Sequence, residues 1–359
     1  MNQPAAEEQI IFLQQIQRLF VEGEFVATYK FALLLSLAEL AVEYGDDSGN
    51  GLPLSMLRVG EKFAELYWRQ LAEYSAGLPD TTGGVLHQNH GAQAAVVRSL
   101  RTIYRATAGK LSLARLHNAW PSTVRAVAST IRTMPLRYLQ VLGGKLEPFL
   151  YSYPCRPGFI DLNPGVAFNF RRYQGLIQHL ARAGWVEHIR SNKQNAPMLG
   201  QVDDLESFMF GSARAALGDV ARVLAPLQNH RCFYCQERID QRAEVDHFVP
   251  WVRYPRDTAH NFVLAHRVCN NDKRDMLAGQ RHLESWMSHL EKRGNEIGGQ
   301  LLQLGFVTDP ASSIHVARWA YEQGVETGSI GWIARGHTEP LVSECLAAFR
   351  RPGGCLQPS

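Results

Sequence analysis

The chain has 359 residues, 45% of them hydrophobic and 20% charged, a balance that excludes a disordered polymer and leaves room for two or three packed domains. A net charge of +3 permits a polyanionic partner without selecting one, so local charge has to decide. The longest apolar stretch, Phe31 to Leu37, is far short of the ~20 residues of a membrane span, and Met1-Asn2-Gln3-Pro4 with Glu7 and Glu8 lacks the basic and apolar parts of a secretory signal. The expectation is a cytoplasmic protein with no membrane partner.

From Glu8 to Tyr44 apolar residues recur at helical spacing, which predicts two helices joined near Gly23, the second of them buried around Phe31 to Leu37. Gly45 to Gly51 reads as a loop, and further helices are expected over about Ser55 to Tyr74, Gly91 to Ala106 and Ser122 to Thr133, with Pro121 just inside a start and Pro135 just past an end. Residues 1–140 are thus expected to form a helical domain. Within it Arg98, Arg101 and Arg105 share a helical face, either as a phosphate-tracking stripe or as an ordinary solvated face.

Over 141–227 the texture shifts to a small α+β region, with Pro148, Pro154, Pro157 and Pro164 between short apolar runs. A helix from about Phe168 to Ala183, stopped by Gly184, is expected to precede a strand at Trp185 to Arg190; this fits part of a winged-helix module or a helix packed on a small sheet. Arg171, Arg172, Arg182, Arg190 and Lys193 form a second basic group. A connecting helix from about Val202 to Leu227 leads into residues 228–291. Helices are expected at Lys273 to His289, Ala311 to Gln323 and Glu339 to Phe349, the last two in a C-terminal helical region, 292–359. The fold class is mostly α with a small α+β part.

Six cysteines in a chain this long do not make a disulfide scaffold. Cys155, Cys345 and Cys355 are scattered and read as unpaired thiols. The rest form two pairs with a histidine, Cys232 with Cys235 and His266 with Cys269, each with a two-residue gap. That gap lets both side chains of a tight turn meet one ion, and two such pairs complete a closed Cys₃His site of the kind that binds structural Zn²⁺.

Between the pairs stands Val245-Asp246-His247-Phe248-Val249-Pro250, then Asn261-Phe262-Val263-Leu264, and beyond the second pair Asn270-Asn271-Asp272-Lys273. A cysteine pair, Asp-His with a following proline, Asn with a following leucine, and a second ligand pair leading into Asn and Lys resemble the HNH endonuclease family in its H-N-N form. The resemblance covers about 45 of the 359 residues. It implies an embedded ββα-metal nuclease domain, in which a hairpin and a helix surround one divalent cation, Mg²⁺ or Mn²⁺, while zinc braces the ends. By position, Asp246 would be a metal ligand, His247 the general base and Asn270 the second ligand, with Asn271 as its alternative. Asn261 would fix the loop carrying His247. Many family members have cysteine where His266 stands, and histidine serves zinc equally.

Phosphodiester hydrolysis needs an activated water and a counter to the charge developing on phosphate; a hard cation held by one carboxylate and one amide keeps positions open for both. Lys273 matches a family position, and Arg267 and Arg274 beside it are further candidates to contact phosphate, with His260 another. The sequence therefore points to an HNH endonuclease that acts on DNA and nicks one strand per site. RNA is the alternative substrate, and a non-catalytic zinc-stabilised binding module the alternative class. Small HNH modules leave target choice to appended domains, so the N-terminal ~200 residues would recognise a sequence, a modification or a partner protein. The layout resembles effectors of restriction or phage-defence systems. The oligomeric state is not legible.

Overall fold

The computed structural model describes residues 3–77, 81–200, 204–211, 217–239 and 243–350. It divides into two compact units, Met1–Gly211 and Ser212–Ser359. Among the described residues no helix is long and apolar enough to cross a membrane.

The first unit is mostly helical: α1 (Ala6–Glu22), α2 (Tyr29–Tyr44), β1 (Leu52–Ser55), α3 (Met56–Trp68), β2 (Glu73–Tyr74), β3 (Gly84–Val85), α4 (Ala95–Ala106), α5 (Leu111–Leu116), α6 (Trp120–Thr133), α7 (Pro135–Tyr138), β4 (Val141–Leu142), β5 (Lys145–Leu146), β6 (Phe159–Leu162), α8 (Val166–Arg172), α9 (Gln174–Ser191) and α10 (Leu205–Phe210). Every residue of α2 from Tyr29 to Glu43 is buried, as a helix apolar on all sides requires. Its two acids, Glu39 and Glu43, meet Lys62 of α3 at 3.1 and 2.5 Å, which keeps those charges paired in the interior.

The strand expected at Trp185 to Arg190 is instead the last turns of α9. Trp185, His188 and Ile189 are buried together at helical spacing, so the apparent alternation was one face of a helix. Gly184 does not stop it. A Cβ there would meet Phe31 at 2.6 Å, so glycine lets α9 approach α2. The winged-helix reading loses its strand. Pro135 stands just past the end of α6 at Thr133, as expected, and also starts α7. Arg171 is buried, donating to Asp47 at 2.8 Å and to the Gly45 carbonyl, so it leaves the basic group. Arg98, Arg101 and Arg105 lie exposed along α4.

The second unit comprises α11 (Gly218–Leu227), a cysteine turn, the hairpin of β7 (Ala243–His247) and β8 (Phe262–His266), then α12 (Arg267–Lys273), α13 (Gln280–Gln303), α14 (Pro310–Glu326) and a second hairpin, β9 (Ile330–Ala334) with β10 (His337–Pro340). The long connecting helix of the sequence reading appears as α10 and α11, and residues 201–203 and 212–216 between its expected ends lie outside the described residues, as does Cys355. The helix expected from Lys273 to His289 is two, because α12 ends where Arg274 takes φ 51. The helix expected from Glu339 is strand β10 followed by a 3-10 stretch, Ser343–Arg350. Phe262 and Leu264, alternating on β8, pack with Val220 and Leu224 of α11 and Ile297 and Leu301 of α13. Phe248 stacks on Trp286 with ring centroids 4.7 Å apart. One face of the hairpin is thereby fixed to a helical platform, which leaves its edge and the α12 side for chemistry.

Candidate active site and metal centre

The antiparallel register pairs Ala243 with His266 at one end of the hairpin and His247 with Phe262 at the other. Two centres therefore occupy opposite ends of two five-residue strands.

At the first end, ligand atoms of Cys232, Cys235, His266 and Cys269 lie within 4.8 Å of one another. The Cys232 turn is closed by the Gln236 amide donating to the Cys232 carbonyl, with Gln236 at φ 61. The Cys235 Sγ stands 3.2 Å from His266 Nδ1, while His266 Nε2 donates to the Arg238 carbonyl at 3.2 Å. That outer bond fixes the tautomer with Nδ1 bare and facing the thiols, the arrangement usual for a metal-bound imidazole. Burial and the neighbouring thiols push Cys269 well above the ordinary thiol range. Three crowded thiols can ionise together only beside a cation, and tetrahedral zinc would set their spacing at about 3.5–4 Å. The group fits a metal ion.

A cavity of about 470 Å³ runs along β7 from Ala243 to His247 and is lined also by Asn270, Asn271 and Arg274, with α11 along one wall; Asp246 and His247 stand at its far end from the cysteines. Asp246 is buried. Its Oδ2 accepts from Tyr234 Oη at 2.5 Å and lies 3.0 Å from Lys273 Nζ. The His247 ring is flanked by Trp251 and Phe262, both centroids at 5.2 Å, and its Nε2 donates to Asp257 Oδ1 at 2.8 Å. A carboxylate can only accept, so in neutral His247 the basic atom is Nδ1. Asn270 donates from Nδ2 to Glu244 at 2.9 Å, which makes its amide oxygen the end offered to a cation. Asn261 clamps Val249 from both sides, accepting from its amide at 2.7 Å and donating to its carbonyl at 3.0 Å. The loop leaving His247 is thus pinned to the start of β8.

Two candidates for phosphate contact sit elsewhere than expected. Lys273 is completely buried, and besides Asp246 it donates to the His247 carbonyl at 3.2 Å; its charge balances Asp246 and is out of reach of a phosphate. His260 is 2% exposed, donates to the Gly294 carbonyl at 3.1 Å, and is held neutral by burial. It is a core residue seated against glycines of α13. Arg267 is exposed, 3.4 Å from Glu244, and Arg274 lines the cavity in a left-handed conformation that costs a non-glycine residue ~1–3 kcal/mol.

The residue pattern of the HNH endonuclease family matches 232–275. This hairpin is an HNH endonuclease domain. A second pattern, DUF8808, a domain of unknown function, matches residues 11–205, more than half of the chain, and the chain belongs to that family. No curated protein and no solved structure matches it.

Four residues in and behind the HNH pocket escaped the sequence reading. Glu244 stands two before Asp246 on β7 and so on the same side of the strand; that spacing was a usable signal. Tyr234 sits inside the first cysteine pair, where it reads as an apolar filler, yet its hydroxyl reaches Asp246 while its ring packs edge-on between His282 and Trp332. Asp257 is ten residues from His247, across a loop with no periodicity. Trp332, from the distant second hairpin, donates to Asp272 of α12 at 2.7 Å and so steadies the helix carrying Asn270.

Proposed function

We propose that this chain is a metal-dependent endonuclease that hydrolyses DNA phosphodiesters in the pocket at the His247 end of the hairpin, and that its Cys₃His centre holds structural Zn²⁺. The observation that carries the reading is the convergence of Asp246, His247 and Asn270 on one cavity beside β7 and α12, a carboxylate, a base and an amide oxygen assembled in a nuclease domain. Hard oxygen donors in a sparse set suit Mg²⁺ or Mn²⁺. A cation bound there supplies charge stabilisation to the phosphate.

The chain's own residues divide the remaining work. His247 Nδ1 takes the proton of the attacking water. Asp257 holds the ring by Nε2, stops it rotating, and stabilises the imidazolium that forms, the role a carboxylate plays behind other catalytic histidines. Asp246 and Asn270 present oxygens to the cation, while Tyr234, Lys273 and Glu244 fix their orientation. Arg274, at the cavity wall, is placed to meet a phosphate oxygen. The Asn261 clamp keeps His247 from drifting with its loop.

The test is conversion of supercoiled plasmid by the purified chain with Mg²⁺ or Mn²⁺, beside His247→Ala. Open-circle product that requires the cation and falls ~10²–10⁴-fold in the variant supports the reading, and linear product indicates paired sites. An intact plasmid together with cleaved RNA moves the substrate to RNA. No cleavage of either, with zinc retained and nucleic acid bound, overturns catalysis in favour of a binding module.

A further inference from the structure

A second depression lies in the same unit and shares no lining residue with the catalytic pocket. It has a volume of about 620 Å³ and is walled by Asn229 and Arg231 at the end of α11, by Phe233 and Gln236 of the turn, and by one face of α13. On α13 the lining positions Arg281, Glu284, Ser285, Ser288 and Lys292 recur at spacings of three and four, which places them in a row along the groove.

Its charge is unbalanced. Arg231 is tethered by donating Nη1 to the Gln236 carbonyl at 2.9 Å, and Arg281 by donating Nη2 to the Ile333 carbonyl at 2.8 Å. Carbonyls orient a guanidinium but do not neutralise it. Lys292 has no carboxylate partner among the described residues. Among the described residues the groove's single carboxylate, Glu284, accepts from Gln280 at 3.0 Å rather than from a cation. Two exposed arginines elsewhere on this unit's helices are paired one turn away, Arg293 with Glu296 and Arg318 with Glu322. A further observation is independent of charge: the Nε2 of His289, on the groove wall, is buried without a hydrogen-bond partner. Buried polar atoms are nearly always satisfied, so this one has a hydrogen bond still to make.

We propose that this groove binds a stretch of nucleic-acid phosphate backbone away from the scissile phosphate, so that the HNH domain grips its substrate at a second place beside the zinc turn. The inference rests on the nuclease reading above. A nucleic acid fits better than an acidic peptide because the groove is built on the cysteine turn that also carries Tyr234 and, through it, Asp246. The same metal centre would then shape both the grip and the cut. Two arginines pinned by carbonyls present a preformed fork to phosphate, and their summed charge releases counterions on binding.

The experiment is binding of a fluorescently labelled DNA duplex by the full chain carrying His247→Ala, measured by anisotropy over a series of KCl concentrations, with and without R231Q/R281Q/K292Q. The triple substitution is expected to flatten the slope of log affinity against log salt by about 2–3 and to weaken binding roughly tenfold or more at ~0.1 M salt, while R231K/R281K keeps the slope. Zinc content of one per chain checks the fold, and if the triple variant fails that check, the exposed Lys292→Gln alone is expected to flatten the slope by about 1. An unchanged slope with parental affinity retained overturns the groove and leaves the nuclease reading standing. A parental chain that binds no nucleic acid overturns both.

Discussion

The two ends of the HNH hairpin are built from the same pair of strands and differ in almost every physical respect. At the His266 end three thiols and an imidazole close on one another from the cysteine turn and the β8–α12 junction, a soft, four-donor set. At the His247 end a carboxylate, an amide and an imidazole line an open cavity, each held by a residue that is not itself a candidate ligand: Tyr234 and Lys273 behind Asp246, Glu244 behind Asn270, Asp257 behind His247. The closed end carries its own constraint, because an ion would fix all four donors at once. The open end has too few donors to be fixed by an ion and is fixed by the protein instead. Each end is therefore broken in its own way, the first by losing a ligand, the second by losing a support.

The largest expected effect comes from the closed end. Cys269→Ser removes a thiolate and should lower zinc from one per chain to well below one, loosen the β7–β8 hairpin, and abolish cleavage, since structural zinc commonly contributes ~10 kcal/mol or more of folding free energy. Metal analysis and thermal unfolding of the variant check this. A variant that keeps its melting temperature and its activity would show that packing of Phe262 and Leu264 on α11 and α13 is enough by itself, and the contrast between the two ends would collapse.

A smaller effect is expected from the support behind the base. Asp257→Ala frees the imidazole to rotate and to exchange its tautomers, and should lower kcat about ten- to a hundredfold, less than the ~10²–10⁴ attached to the base itself, with KM for DNA and zinc content little changed. Nitrogen-15 spectra of the His247 ring give a direct reading: the proton resides on Nε2 in the parent and is shared between the nitrogens in the variant. A raised KM at constant kcat would mean that Asp257 serves the substrate-binding surface instead.

How much of this was legible in the sequence follows the same division. Ligand spacing is local, so both cysteine pairs and the Asp246-His247 step could be read from sequence before any fold was known. The supports are not local. Lys273 reads as a surface cation because nothing in Asn-Asp-Lys-Arg shows that the side chain turns inward under Asp246, and His260 reads as exposed because Gly294 and Gly298, the residues that make room for it, belong to a helix more than thirty residues on. In the first unit the error at Trp185 to Arg190 had a different origin. Six residues satisfy both a period of two and a helical face, and the glycine ahead of them was needed for contact with Phe31, which a local reading takes for a stop.

The smallest effect, and the sharpest probe of the contrast, is expected at Tyr234, a side chain that belongs to both ends. Its backbone lies between Cys232 and Cys235, and its hydroxyl reaches Asp246. Burial, with Asp246 beside it, pushes the Tyr234 pKa well above the usual phenol range, so the group stays a hydrogen-bond donor throughout the working pH range. Tyr234→Phe keeps the ring, its edge-on packing against His282 and Trp332 and the cysteine turn, and deletes one donor to a carboxylate. Asp246 keeps Lys273 as a partner but should be less firmly aimed. The Mg²⁺ concentration for half-maximal cleavage is therefore expected to rise about tenfold, the scale of losing a residue behind a metal ligand, with kcat at saturating Mg²⁺ and zinc content nearly unchanged. A variant that loses zinc instead would mean that the hydroxyl supports the turn rather than the pocket; an unaltered Mg²⁺ dependence would mean that Lys273 alone sets the geometry of Asp246, and that the two ends of the hairpin act without reference to each other.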